Sequence, residues 1–126
     1  MRKIVLTILS IIMINLVNAQ TSIAYTDGSN NTYIITKKNI NYVAIKKENS
    51  SSGIYSGGKD VNVAIDANQY KQIKTFIKKL ETDKTNISKE RNMGCGTLEN
   101  KNKPIYIAMN SPLKKEFEDY LKKIIK

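Results

Sequence analysis

The sequence contains no histidine and no tryptophan, and it has a single cysteine among its 126 residues. Without histidine, the chain lacks the usual general base of serine and cysteine hydrolases and the commonest ligand of transition metals. Cys95 is alone and cannot form an intramolecular disulfide, so the fold must be stabilised by its apolar core, and the thiol is buried, free or paired with another chain. These absences predict a protein with no cofactor and no metal site, and they disfavour most familiar catalytic arrangements.

Arginine is also scarce, because Arg2 and Arg91 are the only two in the chain. The formal net charge is +10, and taking Arg2 and Lys3 from the 21 basic residues leaves 19 against 11 acidic ones, a net charge of +8. Proteins that read nucleic acids favour arginine, whose planar guanidinium forms paired hydrogen bonds. The lysine-rich composition therefore predicts no nucleic-acid partner, and it favours attraction to an acidic protein or an anionic cell-surface polymer.

The N-terminus has the pattern of a secretory signal peptide over residues 1–19. Two basic residues precede an apolar run, and small or modest side chains occupy the positions of a cleavage site before Gln20. The apolar run is shorter than the ~20 residues that a membrane-spanning helix needs. We therefore expect an exported protein, periplasmic or secreted, with one domain over residues 20–126 and no stable membrane span after cleavage.

Short β-branched and aromatic segments separated by turn residues predict an antiparallel sheet. Two amphipathic helices are also predicted, one over residues 66–80 and one that begins after Ser111. Asp66 and Gln69 have the spacing of a capping box, and Pro112 suits the first position of the second helix. The chain is thus expected to form an α+β domain, with about five to six strands and both helices on one face of the sheet. The predicted strands cover residues 22–26, 32–36, 40–47, 61–65, 97–99 and 104–109.

A polar, glycine-rich loop over residues 49–60 is the most distinctive local feature. Its glycines allow positive φ angles, and its exposed backbone N–H groups can form a nest for an anion. The alternative is a plain connection that Tyr55 anchors to the sheet. The candidate partner-binding residues of the loop are Ser51, Ser52, Gly53, Tyr55, Ser56, Gly57 and Gly58.

The loop, the later segment 89–96 and the C-terminal amphipathic helix together resemble a family of small exported bacterial proteins of unknown function. Residues 23–28 and the Ser-Ser-Gly-x-Tyr-Ser-Gly-Gly pattern of the loop are similar to members of that family. The resemblance covers most of the chain after residue 19. It implies an exported α+β domain, and it implies no activity and no catalytic residues.

Lys71, Lys74 and Lys78 are spaced so that they form one basic ridge along the first helix. This ridge is either an ordinary solvated helix face or a contact for an acidic partner. Cys95 lies between two glycines, an arrangement that can present a nucleophile on a sharp turn. It is either a buried small residue or a free thiol whose ionisation is favoured by nearby basic side chains such as Arg91.

Carboxylate pairs are the remaining source of acid–base chemistry. Asp60 and Asp66 flank one predicted strand, and Glu116, Glu118 and Asp119 lie close together in the second helix. The leading prediction is nevertheless an exported, non-enzymatic binding or inhibitor-type module that presents the loop and the basic ridge. The alternatives are a small secreted enzyme that uses Cys95 or a carboxylate pair, and a structural protein of the cell envelope.

Overall fold

The computed structural model describes residues 22–101 and 103–126. The predicted signal peptide over residues 1–19 lies outside the described residues. Within the described part of the chain, no helix has the length and apolar character needed to cross a membrane.

Seven strands form one sheet in which every neighbouring pair is antiparallel. Strands β1 to β4 follow one another as a meander, and β6 pairs with the free side of β1, so the order across the sheet is β4-β3-β2-β1-β6-β7-β5. The strands are β1 (Ile23–Thr26), β2 (Thr32–Ile35), β3 (Asn39–Val43), β4 (Val61–Ala64), β5 (Ile87–Ser88), β6 (Gly96–Glu99) and β7 (Ile105–Ile107).

The predicted α+β class is confirmed, and the strand count is slightly higher than the expected five to six. The additional strand is β5, which lies in a stretch that the sequence indicates is a polar loop. Its two residues pair with Ile107 and Tyr106 of β7. A strand of two residues has too little local pattern to be recognised, because its conformation is fixed by the neighbour with which it forms hydrogen bonds.

Two helices, α1 (Ala67–Thr82) and α2 (Pro112–Ile125), complete the domain. The predicted capping box is present, since Asp66 Oδ1 accepts a hydrogen bond from Gln69 N at 2.7 Å and Gln69 Oε1 accepts one from Asp66 N at 2.9 Å. The side chain of Ser111 caps α2 by accepting from Lys114 N. Both helices therefore begin where their capping residues indicate.

The apolar core lies on one face of the sheet. Strand register places Ile23, Ile35 and Ile40 side by side in one row, and it places Tyr25, Tyr33 and Tyr42 in the next row. The buried faces of both helices join the same core cluster, as predicted from their apolar spacing. Their fully buried members are Ile73, Ile77, Leu80, Phe117 and Leu121.

A largely buried ion pair lies beside the tyrosine row, at the Tyr25 hydroxyl. The Tyr25 hydroxyl donates to Glu118 Oε2 at 2.6 Å, and the Lys114 ammonium pairs with the same oxygen at 2.9 Å. Because the carboxylate, the ammonium and the hydroxyl satisfy one another, the charges can be largely excluded from water without an unpaired group.

Burial also changes the acid–base behaviour of the tyrosine row. Desolvation, reinforced by the negative charge of Asp27, raises the pKa of Tyr33 far above its usual value near 10. The same two causes raise the pKa of Tyr42 to about 12. These phenols therefore remain neutral in the folded protein at pH values where they ionise in the unfolded chain.

We expect Tyr33→Phe to alter the pH dependence of stability more than stability itself. Since the folded pKa is raised, the contribution of Tyr33 is fully present below pH ~10 and is lost as the pH rises beyond it. Near neutral pH the variant should differ from the wild type by less than about 1 kcal/mol, because the Tyr33 hydroxyl forms no hydrogen bond within the described residues and borders a cavity that water can enter. Above pH 10 the free energy of unfolding of the variant should fall less steeply than that of the wild type. The two slopes should differ by about 1.4 kcal/mol per pH unit. Urea unfolding between pH 7 and 11.5 measures both quantities, and identical alkaline slopes would contradict this assignment.

Candidate functional site

A cavity of about 430 Å³ lies between the serine-glycine loop and the segment that contains Cys95. Residues 50–52 and Tyr55 line it from the loop, and residues 91–95 line it from the segment before β6. The turn between β1 and β2 contributes residues 28–30. Two features that the sequence marks separately, the loop and the thiol, therefore meet in one cavity, which we call the first cavity.

The turn between β1 and β2 is held by the carboxylate of Asp27. This side chain is 3% exposed, and its Oδ1 accepts hydrogen bonds from the backbone N–H groups of Ser29 and Asn31, each at 2.9 Å. Asn30 has a φ of 70°, a left-handed conformation that asparagine tolerates better than most residues. The Asp-Gly-Ser-Asn turn predicted from the sequence is thus confirmed, and it presents its tip to the first cavity.

The buried side chain of Asn31 connects this turn to the loop. Its Oδ1 accepts from Ile45 N at 3.0 Å, while its Nδ2 donates to Asp27 Oδ2 at 3.3 Å and to the Tyr55 hydroxyl at 3.1 Å. Gly57 lies against this amide so closely that a Cβ there would overlap Asn31 Oδ1. One amide therefore fixes the turn, the end of β3 and the loop in a single arrangement.

The loop conformation bears on the anion nest that its glycines allow. Gly53 and Gly58 do adopt positive φ angles, of 72° and 94°. The backbone N–H groups of Ile54 and Tyr55 both donate to Ser52 Oγ at 3.3 Å, so these two N–H groups are engaged within the loop. The predicted anchoring of the loop through Tyr55 is confirmed by its hydrogen bond to Asn31.

Cys95 is 7% exposed and lines the first cavity as a free thiol. The backbone around it is tightly fitted. Gly94 has a φ of 79°, and a Cβ on Gly28 would overlap the Gly94 carbonyl oxygen. The absence of a side chain at Gly28 thus permits a close approach of the two turns. The structure places Cys95 in the cavity wall and leaves little of it open to solvent.

Arg91 supplies the charge of the first cavity. One of its terminal nitrogens donates to Asn30 Oδ1 at 3.0 Å, which holds an otherwise exposed guanidinium at the cavity. Among the described residues that line this cavity, Arg91 is the only charged one; the other polar groups are hydroxyls and amides. The cavity is therefore electropositive and rich in hydrogen-bonding groups.

The other predicted site residues lie elsewhere. Gly57 lines a second cavity beside the first, while Gly53, Ser56 and Gly58 are exposed to solvent. The basic ridge also lies exposed on α1, where its three lysines line a shallow depression that has no lining residue in common with the first cavity. The loop and the ridge thus form two separate surfaces.

Four of the five candidate carboxylates have structural partners, and the fifth, Glu116, is exposed. Asp60 Oδ1 accepts from Ala44 N at 2.9 Å, and Asp66 caps α1. Glu118 is bound to Tyr25 and Lys114, as described above. A hydrogen bond from the Lys115 ammonium, together with its charge, lowers the pKa of Asp119. Within the part of the chain that the structure describes, no group of three or more acidic, cysteine or histidine side chains is placed to hold a metal ion.

Two residues of the site are absent from the candidates that the sequence suggests. Arg91 is conspicuous as the only arginine after residue 19, yet nothing local shows that it reaches a turn 61 residues away. Asn31 follows a turn signal, and its buried amide has contacts that depend on the packing of the loop. Only the rarity of arginine in the sequence draws attention to Arg91, and no sequence signal identifies Asn31 as part of the site.

Comparison of the chain with protein-family models, with curated proteins and with solved structures finds no match. The resemblance of the loop to a family of exported bacterial proteins stays a prediction. The function of the first cavity is therefore inferred from its own residues.

Gly57→Ala tests whether the packing between the loop and Asn31 holds the site together. The added methyl group would displace the Asn31 amide and break its hydrogen bonds, so we expect the free energy of unfolding to fall by about 2 kcal/mol. Gly53→Ala is the matched control, because the new Cβ meets open space and only the positive φ is strained, at about 1 kcal/mol. Urea unfolding gives both values, and limited proteolysis should cleave the loop faster in Gly57→Ala alone. Equal cleavage in the two variants would show that Asn31 does not anchor the loop.

Alkylation tests the state of the thiol. Because Cys95 is buried in the cavity wall, we expect iodoacetamide to modify it at least about tenfold more slowly in the folded protein than in urea. Cys95 is the one cysteine in the sequence, so the mass increase of the intact protein reports its reaction without ambiguity. If iodoacetamide modified Cys95 faster than it modifies glutathione at pH 7, the thiol would be activated. That result would support the enzymatic alternative.

Proposed function

We propose that this protein is an exported, non-enzymatic binding module whose first cavity holds an acidic unit of a cell-surface polysaccharide. The observation that carries the proposal is the position of Arg91 in a concave site otherwise lined by hydroxyl, amide and a few apolar groups. A guanidinium with free N–H donors pairs well with a carboxylate or sulfate, and it is oriented here by Asn30. Export is supported by the signal-peptide pattern of residues 1–19.

The shape of the site favours a small unit over a flat protein surface. A cavity of about 430 Å³ lies within the usual range of ligand pockets, and interfaces between proteins are generally less concave. Serine and asparagine side chains suit the hydroxyl groups of a sugar, since they both donate and accept hydrogen bonds. A partly exposed tyrosine ring, that of Tyr55, adds an apolar surface against which a sugar ring can stack.

The chemistry of the lining supports binding rather than catalysis. Among the described residues that line the first cavity, none is an aspartate, glutamate, lysine or histidine that could accept a proton from a reacting group. Cys95 lines the same cavity, which is the one observation that favours a thiol-dependent enzyme. Without an adjacent base such a thiol is a weak nucleophile, and the alkylation experiment separates the two functions.

Arg91→Gln tests the proposal directly. Isothermal titration with galacturonate oligosaccharides in 150 mM salt should show affinity about tenfold lower than in the wild type, since a hydrogen bond between charged groups is lost. Binding of neutral galactose oligosaccharides should be weak and nearly unchanged by the substitution.

Lys78→Gln is the matched control, because it removes one positive charge from the basic ridge and leaves the first cavity intact. We expect its affinity to stay within about twofold of the wild type, because screening weakens exposed charges over distance. An equal loss in the two variants would assign binding to the net charge of the molecule and would contradict a specific site at Arg91.

A further inference from the structure

A second cavity of about 390 Å³ adjoins the first. Ser29 and Tyr55 line both cavities, so the two meet at these residues. The second cavity is lined by the hydroxyl-bearing side chains of Tyr33 and Tyr42, and by Lys122 near the end of α2. It is therefore a chemically different compartment that lies next to the proposed binding site.

The phenol groups of the second cavity are not all satisfied within the protein. The Tyr42 hydroxyl donates to the Gly57 carbonyl at 2.8 Å, and the Tyr55 hydroxyl accepts from Asn31 Nδ2 and keeps its own proton available. The Tyr33 ring is buried, but its hydroxyl borders the second cavity and forms no hydrogen bond within the described residues, where no fully buried polar side-chain atom lacks a partner. This hydroxyl is therefore free to donate to a molecule that occupies the second cavity.

The charges around the second cavity favour an acidic occupant. Lys122 and Lys126 line it, are exposed, and form no ion pair within the described residues. Asp27 lines it as well, but its carboxylate already accepts three N–H hydrogen bonds, two from the backbone and one from Asn31 Nδ2. The groups left free are thus phenol donors and two ammonium ions.

We propose that the two cavities form one bipartite site that binds at least two consecutive units of an acidic oligosaccharide. One acidic group would lie beside Arg91, and the other would lie beside Lys122 and Lys126, where Tyr33 donates to it. Tyr55 would contact both units, because its side chain borders both cavities. This inference rests on the proposed function, and it adds a minimum ligand length and a second set of binding residues.

The shared border at Tyr55 favours a linear chain over two independent small ligands. Joining two units gives the second unit a high effective concentration at its own cavity, so affinity should increase with ligand length until both cavities are filled. An acidic peptide is the competing class; the serine, asparagine and tyrosine side chains that line the cavities favour a saccharide, because its many hydroxyl groups can pair with them.

The test is a titration of the purified protein with galacturonate monomer, dimer and tetramer. We expect the dimer to bind about tenfold more tightly than the monomer, with little further gain for the tetramer. Tyr33→Phe and the double variant Lys122→Gln/Lys126→Gln should each weaken the dimer more than the monomer, and so reduce or abolish the gain in affinity from monomer to dimer. Arg91→Gln should weaken the monomer and the dimer alike.

Lys71→Gln/Lys74→Gln is the control, because it removes the same charge from the basic ridge. Thermal unfolding near neutral pH confirms that each variant is folded. Monomer and dimer of equal affinity would overturn the bipartite site and leave the proposed function standing. Failure of every galacturonate to bind would overturn both. A tetraglutamate peptide that binds in place of the saccharides, with the same response to the variants, would overturn the ligand class.

Discussion

The register of the sheet determines both the core and the site of this protein. Antiparallel pairing sets Tyr25, Tyr33 and Tyr42 directly beside one another, next to a row of three isoleucines. The isoleucines close the apolar core beneath the helices. The tyrosines extend that core to a polar boundary, because the buried rings of Tyr25 and Tyr42 carry hydrogen-bonded hydroxyls and the Tyr33 hydroxyl borders the second cavity. A shift of one residue in any of these strands would turn the row to the open face and remove the boundary.

The boundary is where three separate parts of the chain meet. Asn31 connects the first turn, the end of β3 and the loop through four hydrogen bonds when its own backbone N–H is included. Gly57 is required there for space rather than for a positive φ. The loop is consequently held by contacts at its end, while its serines satisfy the backbone N–H groups nearer its tip. This arrangement keeps a polar loop ordered beside a cavity without burying an unpaired group.

The charged side chains of the described residues include acidic groups with structural partners and basic groups at the two cavities. The acidic side chains with partners cap helices, fix turns or pair with lysine, as Asp27, Asp66 and Glu118 show. The basic side chains at the two cavities, Arg91, Lys122 and Lys126, form no ion pairs within the described residues. A basic protein whose cavity cations form no ion pair within the described residues is suited to bind an anion. This distribution supports the proposed binding role.

The sequence by itself determined the α+β class, the faces of both helices, their capping residues and the turn at Asp27. Each of these follows from interactions between residues a few positions apart, which periodicity and residue type record directly. It also indicated that the loop and Cys95 were of interest, without showing that they share a cavity.

Only the tertiary structure decided the pairing of β1 with β6, the existence of β5 and the meeting of Arg91 with Asn30 across 61 residues. It also showed that the N–H groups of Ile54 and Tyr55 in the glycine-rich loop donate to Ser52 Oγ. The physical reason is that strand order and side-chain contacts between distant segments depend on packing free energy summed over the whole core. No local pattern of residues contains that sum.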